Sequence, residues 1–550
     1  MYQPSRRQVL AGVAGAAALT VAGCGSSGGS TGGQSLSGRR VGAMASFGTG
    51  TQFKATEPLT FSTMMLSNPA YPYNAKWPFF TDLKRMTNVS FDSTVVPYAD
   101  YTTKVSTLIN AGQAPFLIPK TYPGGEDEFV AGGAILPVSD YTDLMPNFTA
   151  KVNAWKLQPD LGTIRQSNGK FYLLPGLHQQ VWVDYTLAVR TDIMAKLGVP
   201  TPQTWDDVHN MMLEMKKAYP DVYPLSDRWN QPTPGGAFLM TIGNAYGTYA
   251  GWNYQSPNEG VYWDSGSGKF VLSGAMPQYK EMLAFLNTMY NQKLIDPESF
   301  TQADTVAEQK FGQGKSFVIM TNAQELVNTL QPAIVKVPGA AVAKVPVPMG
   351  PTGATVIGTR LENGMMVSTK ALSSKNFVAM MQFIDWLWYS DAGETFARWG
   401  IKGQTYDGSV ADGTFHLAPD VDFAGLNPSG KQDLQVTYGF YNGVFAYGGS
   451  TALLDTQFPP AELAFQKVMD QRTILPVPPP APLTTAEQQQ ATLWGQALLD
   501  HVQQQTLKFI MGQRPLSDWN TYVAELEGMN GSQFAAMYNS AYERYHSKFG

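Results

Sequence analysis

Cysteine is nearly missing from this chain. One thiol in 550 residues rules out an internal disulfide and any multi-cysteine metal cluster. Histidine is almost as scarce: no two of the five imidazoles lie within 30 residues of each other, so no local zinc motif exists. Charged residues make up 15% of the chain, against about 25% in an average soluble domain. With 43% apolar residues, that composition excludes a charge-rich disordered chain. A strong charge of either sign is lacking too. The formal net charge is −5, so no global field draws in nucleic acid, and none is expected as a partner. Catalytic signatures are absent: there is no G-x-S-x-G and no H-E-x-x-H. Residues 312–316 (GQGKS) approach a P-loop, but Gln309 stands where its first Gly should be. A turn before a strand is the simpler reading. Residues 23–28 match G-x-G-x-x-G without a strand before or a helix after, so the dinucleotide reading fails.

What is present begins with an address. Residues 1–23 carry no acid, and Ser5-Arg6-Arg7-Gln8-Val9-Leu10 is a twin-arginine pattern. The apolar run from Val9 to Ala22 would make a helix of about 21 Å, too short to cross a hydrocarbon core of about 30 Å. It reads as the core of an export signal. Val21-Ala22-Gly23-Cys24 then resembles a bacterial lipobox, which makes Cys24 the expected lipidation site and residues 1–23 a twin-arginine lipoprotein signal peptide. Residues 24–55, rich in Gly and Ser, are expected to be a flexible tether.

The remaining length exceeds what one hydrophobic core supports and predicts two lobes of roughly 200–250 residues. Strand-like segments at 59–66, 89–96 and 114–119 alternate with helical ones at 79–87 and 98–111. This rhythm predicts an α/β fold with a mainly parallel sheet, whose ligands bind beyond the carboxyl ends of the strands. Further on, 185–191 reads as a strand. Residues 192–197, 205–219, 277–290 and 377–388 read as helices, and Thr484 with Glu487 forms a capping box opening another.

Several segments together resemble the extracellular solute-binding proteins of ABC importers, in particular the large oligosaccharide-binding lipoproteins that include alginate-oligosaccharide binders. The matching pieces are 169–175 (GKFYLLP), 187–192 (LAVRTD), 197–200 (LGVP) and 202–207 (PQTWDD). They continue with 294–301 (LIDPESFT), 311–315 (FGQGK), 383–387 (FIDWL), 400–403 (GIKG), 509–512 (FIMG), Trp519, Tyr522 and 541–545 (AYERY). Many relatives carry a calcium loop after the Trp-Asp-Asp helix. Here 217–224 (KAYPDVYP) offers one carboxylate, so no calcium or other cofactor is expected.

The resemblance implies a two-lobe, periplasmic-binding-protein-like fold, each lobe a mainly parallel sheet flanked by helices, with a hinge between them. Lobe 1 is expected from 56–177 and 346–405, and lobe 2 from 178–345 and 406–550. It implies a monomer that is lipid-anchored at the outer face of the cytoplasmic membrane after twin-arginine or general export. Such a monomer captures a carbohydrate by hinge closure and delivers it to ABC permease subunits, without enzymatic turnover. Aromatic faces would stack on sugar C–H surfaces while polar groups bond the hydroxyls. Strand-end loops nominate Tyr71, Tyr73, Trp77 and Tyr122 from lobe 1, and Gln180, Trp182, Arg228, Trp229 and Tyr246 from lobe 2. Asn363, Trp399, Lys402 and Tyr438 come from later crossings. An extracellular glycoside hydrolase or lyase also suits an aromatic-rich cleft, and a peptide-binding or adhesive lipoprotein is a third reading.

Overall fold

The computed structural model describes residues 36–229, 236–249 and 260–550. The expected signal peptide, Cys24 and the first part of the tether lie outside them. Within the described chain, β1 (Leu59–Ser67), β2 (Val89–Pro97), β3 (Leu117–Thr121) and β4 (Leu173–Leu177) build the first sheet, with helices Pro78–Thr87 and Tyr101–Asn110 between the first three. The chain then leaves for a second body. That body holds β5 (Thr186–Arg190), the hairpin β6 (Val261–Asp264) and β7 (Lys269–Leu272), then β8 (Val318–Thr321) and β9 (Val342–Lys344). After β10 (Thr355–Val356) it returns as β11 (Leu361–Val367) to complete the first sheet in the order β2-β1-β3-β11-β4. β1 is parallel to β2 and β3, whereas β11 runs against both β3 and β4.

Local sequence explains most boundaries. Pro78 starts its helix at a position where the missing N–H costs nothing, and Asn88 ends it in left-handed backbone. Thr204 caps helix Trp205–Ala218 with a complete capping box: its Oγ1 accepts from Asp207 N–H at 3.0 Å, and Asp207 Oδ2 accepts from Thr204 N–H. Thr204→Ala should therefore lower stability by about 1 kcal/mol, read as a drop of a few degrees or less in Tm. No change in Tm would show that this helix end is held by tertiary contacts alone.

The two cores differ in kind. The first is aromatic: Phe53, Phe61 and Phe91 surround Phe383, and Phe79 stacks on Phe445 at 4.5 Å. Its central helix, Phe377–Tyr389, is buried on every side. Asp385 within that helix accepts three hydrogen bonds, from the N–H groups of Asn147 and Phe148 and from Asn147 Nδ2, at the start of helix Pro146–Ala154. The second core is rich in methionine (Met211, Met212, Met215, Met282, Met289, Met320) and is joined by Leu498, Val502, Phe509 and Tyr522 from the C-terminal helices.

Three expectations change. The second sheet, in the order β8-β5-β9, pairs its strands antiparallel, where a mainly parallel sheet was expected. The tether gives way early, because Phe53 is fully buried and Ala55 N–H bonds Thr87 O. Residues 406–449, expected in lobe 2, stay on the first body: Tyr441 N–H bonds Ala397 O, Gly439 abuts the Trp77 ring and Gly449 N–H bonds Leu177 O. Aromatic packing holds this excursion there, and the chain leaves the first body after Gly449 rather than at the expected boundary between 405 and 406.

Candidate ligand-binding cleft

β1, β3 and β4 run the same way and end at one edge, where β11 begins. Two register slips mark that edge. Against β3, β11 pairs Gly364 with Thr121 and then Met365 with Pro119, leaving Lys120 as the extra residue of a β-bulge. Against β4 it pairs Glu362 with Gly176 and Gly364 with Pro175, leaving Asn363 extra. Gly364 between them is required, since a Cβ would lie 2.0 Å from Leu174 O. Bulges bend strands and redirect side chains. Lys120 adopts φ 61°, the left-handed region that costs a non-glycine residue about 1–2 kcal/mol. Asn363 is buried, and its Oδ1 has no hydrogen-bond partner among the described residues.

Side chains from distant segments meet here. Lys120 Nζ lies 5.2 Å from the ring centre of Tyr122 and 6.0 Å from that of Tyr447. Tyr71 Oη and Lys120 Nζ converge on Gly443, where a Cβ would come within 3.4 and 3.6 Å of them. Next to this group, Glu362 bonds His178 Nε2 at 2.9 Å and accepts from Gly448 N–H at 2.8 Å. Burial pushes the Glu362 carboxyl up, but the His178 bond and charge, the Gly448 amide and Arg398 outweigh it and hold the group below the usual carboxylate range. The bond from His178 to Glu362 ties the end of β4, where the chain leaves for the second body, to the start of β11.

The second body contributes the segment 226–229 and the residues before β5. Asp227 is fully enclosed. It accepts from Met320 N–H at 2.9 Å and donates its own N–H to Ser299 Oγ, and burial pushes its carboxyl up to about 7. Arg228 is buried between Glu308 and Glu325, with its guanidinium 4.3 Å from the Trp229 ring centre. Trp229 stays half-buried in left-handed backbone (φ 61°), its N–H on Asp304 Oδ1 and its ring edge-to-face with Tyr185 at 5.4 Å. Asp184 accepts from Ala323 N–H, and burial raises it to about 6 despite Lys344.

The nominated residues therefore separate. Tyr71, Tyr122 and Asn363 gather at the first edge, and Arg228 with Trp229 forms the second. Arg228 underlies Trp229 and has its charge answered by glutamates, so it is a positioning residue. Gln180 is exposed, and Trp182 stacks on His178 and lies tilted against Phe458 in the connecting segment. Trp77 and Trp399, expected as ligand contacts, are core side chains. Trp77 is 2% exposed with Nε1 on Val436 O, and Trp399 is fully buried with Nε1 on Thr456 Oγ1. Tyr73 packs its ring on Trp77 and Phe80 while its N–H bonds Ser67 Oγ at the end of β1, Tyr246 packs on Phe285, and Tyr438 bonds Gln432. Lys402 is exposed in a loop bridged to Tyr406. Sequence reasoning left out Lys120, Glu362 and Tyr447. The run 439–449 (GFYNGVFAYGG), with four glycines among aromatics, was the readable signal for the last of these.

Two α/β lobes joined by extended segments, with loops and polar groups gathered at their strand ends, define a periplasmic-binding-protein-like fold. The chain belongs to the bacterial extracellular solute-binding protein family, whose model matches residues 72–392. Lipoprotein LipO of Bacillus subtilis (strain 168) is 23% identical over 368 residues, 64% of this chain and 67% of that one. Among solved structures, the alginate-binding protein AlgQ2 without calcium ion is 18% identical with a TM-score of 0.64, over 90% of this chain and 99% of its own. An HMO-binding, ABC-transporter-associated solute-binding protein from Bifidobacterium longum infantis is 15% identical with a TM-score of 0.67, over 89% and 99%.

Proposed function

We propose that this protein is a lipid-anchored, monomeric receptor that captures a carbohydrate between its two lobes and hands it to an ABC permease. The observation that carries the reading is Trp229. It is half-buried in strained backbone, braced below by Arg228 and at its edge by Tyr185, with its N–H on Asp304. A rigid aromatic face with polar neighbours suits a sugar ring, which is apolar on its C–H faces and polar at its rim. Tyr71 and Tyr122 offer comparable faces at the first edge. The alginate- and HMO-binding structural neighbours support a saccharide ligand, and the resemblance to Lipoprotein LipO supports an anchor.

In this reading the hinge comprises the connections around 178–185, 345–360 and 449–460, and closure joins the two edges without breaking a bond. Glu362 is committed to His178 and Gly448, and Asp227 is enclosed, which favours binding over hydrolysis. Thermal-shift screening against oligosaccharides and peptides tests the ligand class. A saccharide at 100 times its Kd should add about 2.7 kcal/mol of apparent stability. Stabilisation by peptides alone, or release of shortened sugars, would overturn it. The anchor has its own test. Cys24→Ser should abolish membrane association or leave the precursor unprocessed, and unchanged partitioning with membranes would exclude lipidation at that position.

A further inference from the structure

The geometry points to Lys120 as the residue that reads ligand charge: we infer that its ammonium takes a carboxylate of the bound saccharide, so that the site prefers uronate-containing over neutral oligosaccharides. This rests on the carbohydrate reading above. Lys120 is the extra residue of the β3 bulge and is held at φ 61°, backbone that persists in a non-glycine residue only where its surroundings impose it. The bulge sets its ammonium among Tyr71, Tyr122 and Tyr447, beside Gly443, whose missing side chain leaves room there.

Among the described residues, no carboxylate pairs with Lys120. The acids that could do so are engaged elsewhere. Glu362 is bonded by His178 and Gly448, buried Glu126 accepts from Gly124 N–H, and Asp127 accepts from Gln166. At the second edge Arg228 already has Glu308 and Glu325. Among the described residues, the bulge thus presents an ammonium with no carboxylate at ion-pair distance, on an aromatic floor that would strip water from an incoming anion. A carboxylate on a sugar ring answers both features, because the ring covers the tyrosines while its acid meets the ammonium.

The test uses the full-length protein and a panel of uronate-containing oligosaccharides, each paired with its carboxyl-reduced neutral counterpart, measured by titration calorimetry. The wild type should bind acidic members more tightly than their partners. Lys120→Met, which keeps the apolar stem, should weaken acidic binding roughly ten- to hundredfold, the size of a charge-assisted hydrogen bond, and weaken neutral binding far less, so that the acid-to-neutral ratio collapses. A second readout needs no variant: raising NaCl from about 0.05 to about 0.5 M should weaken acidic binding severalfold and spare neutral binding. Equal or better binding of neutral members by the wild type, or a Lys120→Met protein with the same acid-to-neutral ratio, overturns the assignment while leaving a carbohydrate receptor intact. Binding of no saccharide at all overturns both.

Discussion

Trp229→Ala should raise the Kd for the saccharide ligand about five- to 150-fold, the roughly 1–3 kcal/mol lost when a buried aromatic anchor is removed, with little change in Tm. The asymmetry follows from what the ring touches. Part of the ring is exposed, and among the described residues it meets the Arg228 guanidinium and the edge of Tyr185 and touches the methionine-rich core only at its margin. Arg228 keeps Glu308 and Glu325 when the ring is gone, so no buried charge is stranded. Trp77→Ala and Trp399→Ala form the contrasting pair. Both rings are buried among aromatics with their indole N–H groups satisfied. Each deletion should cost about 3–5 kcal/mol of stability and leave affinity unchanged wherever the variant is folded. Calorimetric titration and thermal denaturation of the three variants give the comparison. Loss of Tm without loss of affinity in Trp229→Ala would place that ring in the core and remove the main support for the cleft.

The three tryptophans show what one sequence can and cannot reveal. Their immediate neighbours look alike: Trp77 follows Asn74 and Lys76, and Trp229 sits in Ser226-Asp227-Arg228-Trp229. Their fates are decided by chain far away. The 406–449 excursion lays Gly439 on the Trp77 ring and Tyr441 beside Trp399, and nothing near either tryptophan announces it. Lys120 was hidden for the same reason, since a bulge exists only relative to its partner strand. Arg228 read as a donor for sugar hydroxyls because its glutamates come from helix positions 308 and 325. The elements themselves were legible, because local signals set them. The helices after Thr204 and Thr484 open where expected, the one expected at 79–87 starts one residue earlier at Pro78, and the strand expected at 114–119 moved only to Leu117–Thr121. The tether misled because Gly and Ser dominate its composition through Gly50, while two phenylalanines, Phe47 and Phe53, do the packing.

Acidification should stabilise the protein between pH 8 and pH 5. Burial pushes four carboxyls up: Asp184 and Asp385 to about 6, Asp227 to about 7 and Glu126 to about 8. In the unfolded chain such groups lose their protons near pH 4. Between those limits the folded state holds protons that the unfolded state has released, so raising the pH favours unfolding. For Asp227 alone, a rise from 3.8 to about 7 sets an upper limit on the order of 4 kcal/mol. Acids held low, such as Glu362 and Asp192, are ionised in both states across this window. Their stabilisation is lost only as the pH falls below about 4, so it turns the curve down at the acid end. Tm should therefore peak near pH 5 and fall steadily toward pH 8. Asp227→Asn, whose carbonyl can still accept from Met320 N–H, should flatten that fall. A Tm that is level or rising from pH 5 to 8 in the wild type would mean that these carboxyls keep water or a counter-charge and ionise normally. Because Asp227 directly precedes Arg228 and Trp229, the same variant also reports on the cleft. An unchanged ligand affinity with a flattened pH profile would assign the buried acid to stability alone, and a loss of affinity would show that it helps hold the Trp229 platform in place.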